Sequence, residues 1–242
     1  MNVLAFDTCL GAVSVAVRAR GPGGELKVHE VGEVRATGHA ERLFPMLSAM
    51  MEKSGLSFAA LDRIAVTVGP GSFTGVRIGI ATARGLALAA GKPVVAATSL
   101  AVMAERAQEL LAEAGEALGP RSLMAAVDAR RGGLYVQSFA DNGEAPLRAT
   151  SDALVLTAQE AAHRIGRSGA IVVGSGAAAV TALLQQAGVA VELRFPDLQP
   201  HARCLAGMAP HLVPVHPVRP LYLRMPDVRP QEGAALARAT AS

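Results

Sequence analysis

The segment Gly69-Pro70-Gly71-Ser72-Phe73-Thr74-Gly75-Val76-Arg77-Ile78-Gly79 constrains the fold more than any other stretch, because it follows the apolar run 64–68 and leads into a helical pattern. An apolar run of that length reads as a buried strand, and the glycines permit positive φ or close backbone approach. Ser72 or Thr74 can cap a helix beginning at Gly75. The bare N–H groups of such a terminus could hold an anion or a partner's carboxylate. Known phosphate loops do not fit. A Walker loop needs Gly-Lys-Ser/Thr after four residues, and no lysine follows these glycines; the dinucleotide pattern from Gly69 and Gly71 needs glycine where Thr74 stands. Spacing alone therefore favours a strand-to-helix turn with no ligand, with the anion site as the other reading.

Strand and helix patterns continue on both sides. Residues 3–6, 13–17 and 26–34 read as an antiparallel meander, followed by helices over 40–54, 75–90 and 100–118 with strands at 64–68 and 94–97 between them. After Gly119-Pro120 the pattern partly restarts, with strands at 123–127 and 134–139 around a turn holding Asp128, much as Asp7 sits in the first turn. Residues 158–167 and 176–188 read as helices and 171–173 as a strand, whereas the prolines from Pro196 onward predict a mostly extended end with mobile last residues. Two meanders, each with an acidic first turn and each followed by α/β units, imply a duplicated α/β architecture with a cleft between halves.

A length of 242 residues with 51% hydrophobic residues and a mean hydropathy of +0.33 supplies ample core. No uninterrupted apolar stretch is long enough to span a membrane, and Asp7 breaks the first apolar run, so neither export nor insertion is expected. Cys9 and Cys204 fit no metal spacing and read as free thiols, in keeping with a reducing cytoplasm. A net charge of +3 with scattered basic residues, and only 3% aromatics, gives little purchase for direct nucleic-acid binding.

Two helical segments carry more apolar surface than one face accounts for. Leu43, Leu47 and Met50 share a face, Phe44, Met46 and Met51 widen it, and 75–90 is nearly all apolar or small. Either both helices are buried in a large core, or they form an intermolecular helix bundle; small residues at Gly79, Ala83 and Ala87 favour the bundle by allowing close approach. Catalytic groups are sparse. The histidines His29, His39, His163, His201, His211 and His216 lack metal-ligand spacing, and Ser72 and Ser175 lack a nucleophile-elbow pattern and a local base. Asp7 and Asp128 are the best acid candidates, either as carboxylates on metal or water or as side chains satisfying the N–H groups of their own turns.

Asp7-Thr8 with 11–16, His39-Ala40-Glu41 with 42–47, the loop 69–79, Asp128-Ala129-Arg130-Arg131 and Leu221-Tyr222-Leu223-Arg224 together resemble the TsaB (YeaZ) family. The resemblance spans most of the chain in the family's order. It implies a non-catalytic relative of TsaD with the two-lobed actin, sugar-kinase and acetate-kinase (ASKHA) fold, its duplicated mixed-sheet domains flanking a degenerate nucleotide cleft. It implies a helper in making threonylcarbamoyladenosine beside the tRNA anticodon, paired with TsaD and joined by TsaE, with tRNA met only indirectly and a homodimer when TsaD is absent. ATP or ADP and metal would belong to those partners, with no catalytic or metal-ligating residue in this chain. An ATP-dependent or metallopeptidase-like enzyme of the same superfamily is the alternative. The expected division is 1–105, bearing the partner-binding helices, 106–225, and a mobile tail 226–242.

The pairing surface implied by the resemblance uses His39, Glu41, Leu43, Leu47, Met50 and Met51 of the first helix, and Phe73, Val76, Ile80, Ala83, Arg84 and Ala87 of the second. The degenerate cleft would comprise Asp7, Thr8, Cys9, Gly69, Gly71, Ser72, Asp128 and Arg130. Cys9 stands where the family commonly has serine, and no glycine follows Asp128 as in the kinase relatives, so weak or no ATP binding is expected.

Overall fold

The structure is a computed structural model and describes residues 1–21, 23–165 and 169–224. The first half runs β1 (Val3–Asp7), β2 (Ala12–Arg20), β3 (Leu26–Val34), α1 (His39–Ser54), β4 (Arg63–Thr67), α2 (Phe73–Ala90), β5 (Val94–Ala97) and α3 (Ser99–Glu113). Its five strands lie in the order β3-β2-β1-β4-β5, with β2 antiparallel to both neighbours and β1, β4 and β5 parallel.

The second half repeats this plan with β6 (Ser122–Asp128), β7 (Leu134–Ala140), β8 (Arg148–Ala149), β9 (Leu154–Leu156), α4 (Ala158–Ile165), β10 (Ala170–Val173), α5 (Ala177–Gln186), β11 (Val191–Leu193) and α6 (Ala202–Met208). Its sheet order is β11-β10-β6-β7-β8, with β9 also on β7; read from β8, each strand takes the place of its counterpart in the first sheet. The duplicated α/β architecture expected from the sequence is therefore the observed one. Such a repeat is the arrangement that the expected ASKHA-like class calls for.

Side-chain alternation decides how each sheet is covered. Leu4 and Phe6 of β1, with Val13, Val15 and Val17 of β2, meet α1 and α2 in one core, while Val3 and Ala5 face α6 in another. In the second sheet Met124 and Ala126 face α4 and α5, whereas Leu123, Ala125 and Val127 pack on α3 through Leu100, Met103 and Leu111. The closing helix of each half thus covers the other half's sheet.

Two expectations change as a result. A boundary between 105 and 106 would cut the continuous helix α3, and α6, inside the expected second domain, belongs to the core of the first sheet. The end after Pro196 is not simply extended either: α6 fits between Pro200 and Pro210, because neither proline falls inside its seven residues, and His201 caps it. The expected mobile tail 226–242 lies outside the described residues.

Candidate functional site

The β1–β2 turn and the β6–β7 turn face one another across the cleft between the sheets. A cavity of about 610 Å³ opens there, lined by Cys9, Gly11, His39, Gly71, Ser72 and Phe73 on one side and by Asp128, Arg130, Tyr135 and Ser175 on the other. Leu221, Tyr222 and Arg224 also line it.

The glycines of the loop 69–79 have a local explanation. A Cβ on Gly71 would stand 2.2 Å from the Cys9 carbonyl oxygen, and one on Gly75 would stand 2.0 Å from that of Thr8. They let the start of α2 lie directly on the β1–β2 turn, and Gly69 adopts φ +101°. Hydrogen bonds fix the contact. The Ser72 N–H donates to the Cys9 carbonyl at 2.8 Å, the Thr8 hydroxyl donates to the Gly75 carbonyl at 2.7 Å, and the Ser72 hydroxyl accepts from the Gly75 N–H at 3.0 Å as the helix cap. The glycines are thus used for contact between the loop and the β1–β2 turn.

Asp7 and Thr8, expected in the cleft, are buried behind it and do not line the cavity. The Asp7 Oδ1 accepts from the Thr67 hydroxyl and from the Cys9 N–H, while Oδ2 has no hydrogen-bond partner among the described residues. Burial pushes the Asp7 carboxyl up to about 6 against the pull of those hydrogen bonds. Burial and the neighbouring Asp7 also hold the Cys9 thiol well above its ordinary range, so it is not a ready nucleophile. On the facing turn, Asp128 accepts from the Arg130 N–H at 2.7 Å, and the Asp128 N–H donates to the Ser175 hydroxyl at 3.0 Å. Both acids therefore serve their own turns. No group of three or more His, Cys, Asp or Glu that could hold a metal occurs among the described residues.

The helix surface requires a correction. Leu43, Leu47, Met50, Met51, Val76, Ile80 and Ala83 are buried in the chain's own core, with exposures from 0% to 8%. The physical reason is that α1 and α2 pack on each other as well as on the sheet, so an apolar stripe too wide for one contact is divided between two. His39 and Phe73 also leave the helix surface: the His39 Nε2 sits 3.0 Å from the Leu10 carbonyl oxygen at the cleft, and the Phe73 ring stacks on Tyr222. Glu41 and Arg84 are exposed and Ala87 half-buried, although Arg84 also bonds the Val218 carbonyl. The exposed residues of α1 and α2 are a different set that includes Phe44 at 57%, Leu88 at 88%, Ser48, Ala49, Ala81 and Gly85.

Sequence reasoning missed Gln199, whose side-chain oxygen accepts from the Gly11 N–H at 2.9 Å from the far end of the chain. No local signal could have found it. Tyr222 and Arg224 stand in the sequence motif 221–224, and the structure places both at the cleft.

The model of the tRNA N6-adenosine threonylcarbamoyltransferase family, TsaD, matches residues 31–195. Over 233 residues the chain is 30% identical to the tRNA threonylcarbamoyladenosine biosynthesis protein TsaB of Haemophilus influenzae, covering 93% of this chain and 94% of that one. The chain belongs to the TsaB (YeaZ) family. TsaB of Escherichia coli is 32% identical over 232 residues, covering 93% of this chain and 95% of its own. The solved structure of YeaZ from Pseudomonas aeruginosa superimposes with a TM-score of 0.73 at 31% identity, over 92% of this chain and 99% of that one. The TsaB family thus shares this fold along nearly the whole chain. No helix among the described residues is long and apolar enough to cross a membrane.

Proposed function

We propose that this chain is a docking subunit in threonylcarbamoyladenosine synthesis on tRNA, working in the cytoplasm as a non-catalytic partner of the transferase TsaD, with TsaE joining the pair. Similarity to TsaB proteins along 93% of the chain supports the pathway. The observation that carries the docking role is the outward face shared by α1 and α2. Phe44 and Leu88 supply exposed apolar area, and the small side chains of Ala49, Ala81 and Gly85 allow a partner helix to come close. In the absence of TsaD the same face would serve a homodimer.

A helper role, in preference to an ATP-dependent or peptidase-like enzyme, is supported by the state of the cleft acids and glycines. Asp7 is enclosed, one oxygen of Asp128 is held by the Arg130 N–H of its own turn, and the loop glycines are packed against the β1–β2 turn. Nucleotide and metal would then belong to TsaD and TsaE. Gly85→Arg tests the docking face cleanly, because a Cβ there meets nothing within 4 Å and the fold is spared. Co-elution with TsaD should be lost in the variant while the thermal midpoint of the isolated chain does not fall, since replacing a glycine inside α2 favours the helix. Undiminished co-elution would refute the face, and stoichiometric heat on titrating ATP–magnesium into the isolated chain would refute the helper reading.

A further inference from the structure

We propose that residues 221–224 form a strap that latches the two sheets across the cleft, performing with the chain's own side chains the closure that cleft proteins of this shape perform on a ligand. The strap is anchored at both ends. On the first half, the Leu221 N–H donates to the Val68 carbonyl at 2.7 Å, just beyond β4. The Tyr222 ring stacks on Phe73 with centroids 5.3 Å apart, and its hydroxyl accepts from the Arg77 guanidinium at 2.9 Å. Arg77 also lies over the Phe73 ring at 3.6 Å, so three side chains clamp the first turn of α2.

On the second half, the Arg224 guanidinium donates from one nitrogen to the carbonyls of Ala129 and Arg130, both at 2.9 Å. The β6–β7 turn is shaped to receive it. Arg130 and Arg131 adopt φ +63° and +51°, a left-handed conformation that is strained for residues with side chains and persists where the surroundings impose it. Gly133 leaves the space that the guanidinium fills, since a Cβ there would stand 2.6 Å from an Arg224 nitrogen. Two carbonyls converging on one cation, with a glycine cleared beside them, make a receptacle for that side chain.

Leu221, Tyr222 and Arg224 therefore hold the end of β4, the start of α2 and the β6–β7 turn in one arrangement. The strap adds to α3 and α6 a further tie between the halves, placed at the cleft itself and next to the α2 N-terminus. This inference is independent of which partner covers the outward face of α1 and α2.

The test removes one anchor and reads the other. Arg224→Ala takes away only the contact with the second half, so a purely local role would leave the first half unmoved. Exchange of the Leu221 amide, followed by NMR in the full chain, should accelerate about tenfold or more in the variant. Spin labels at Thr37→Cys and Gln159→Cys, both exposed and in different halves, should report a longer and broader distance distribution; Cys9 and Cys204 are buried and will not compete for label. If Arg224→Ala does not fold, Tyr222→Phe removes only the hydroxyl, and exchange of the Gly133 amide, which donates to the Arg130 carbonyl at 3.1 Å within the β6–β7 turn on the far side of the cleft, should accelerate instead. An unchanged far-side amide together with an unchanged label distance overturns the strap.

Discussion

Asp7→Asn isolates the most unusual charge in the chain. The Asp7 side chain has zero exposure, its Oδ1 takes two hydrogen bonds, and its Oδ2 takes none. An anion with one unsolvated oxygen is costly, so the folded state favours the protonated form and the carboxyl rises from 3.8 to about 6. Because the folded chain holds this proton more tightly than the unfolded one, the stabilisation is complete below pH 3.8 and is lost as the pH rises through about 6. The full span corresponds to about 3 kcal/mol, most of it between pH 4 and 7.5. Asparagine retains an acceptor for Thr67 and Cys9 but does not ionise. Urea unfolding of both proteins across that range should therefore show the wild type losing about 2–3 kcal/mol relative to the variant, with most of the change below pH 6.5. Taking the difference removes the contribution of other titrating groups. Stability curves that run parallel to within about 0.5 kcal/mol, or diverge in the opposite sense, would refute a buried, proton-binding Asp7.

The remaining predictions concern packing. Leu47→Ala should destabilise the isolated chain by about 2–5 kcal/mol in denaturant unfolding, because its side chain is 2% exposed in the core beneath α1. Gly75→Ala should destabilise by at least about 2 kcal/mol, since the added methyl meets the Thr8 carbonyl oxygen at 2.0 Å and backbone cannot give way as a side chain would. Ser72→Ala removes the α2 cap and should lower stability by about 1 kcal/mol, visible as a small fall in thermal midpoint.

The sequence carries the fold where its signals are local. Short apolar runs bounded by turn residues place most of β1 to β7, and glycines beyond the last turns of α1 and α2 end those helices in the left-handed conformation at Gly55 and Gly91. Short elements escape this reading. The two-residue β8 and three-residue β11 carry exposed residues and no alternation long enough to recognise, and α6 is hidden between prolines. The direction in which α1 and α2 face was illegible for a different reason. Both are apolar on more than one side, and only the packing of α1 on α2 shows that Leu43, Leu47 and Ile80 point inward and Phe44 and Leu88 outward. At the cleft, Asp7 and Asp128 announce themselves as acids at strand ends whose carboxylates accept from N–H groups two residues on, but the bonds that tie those turns to Thr67 and Ser175 come from residues at least 47 positions away.

The central claim is that the chain acts by presenting the outer face of α1 and α2 to the transferase. Its most direct test is reconstituted threonylcarbamoylation of tRNA by TsaD, TsaE and the threonylcarbamoyl-adenylate source, comparing no added chain, wild type and Gly85→Arg. The account predicts activity with wild type, and no more with Gly85→Arg than with nothing added. Full activity from the folded Gly85→Arg variant would contradict it.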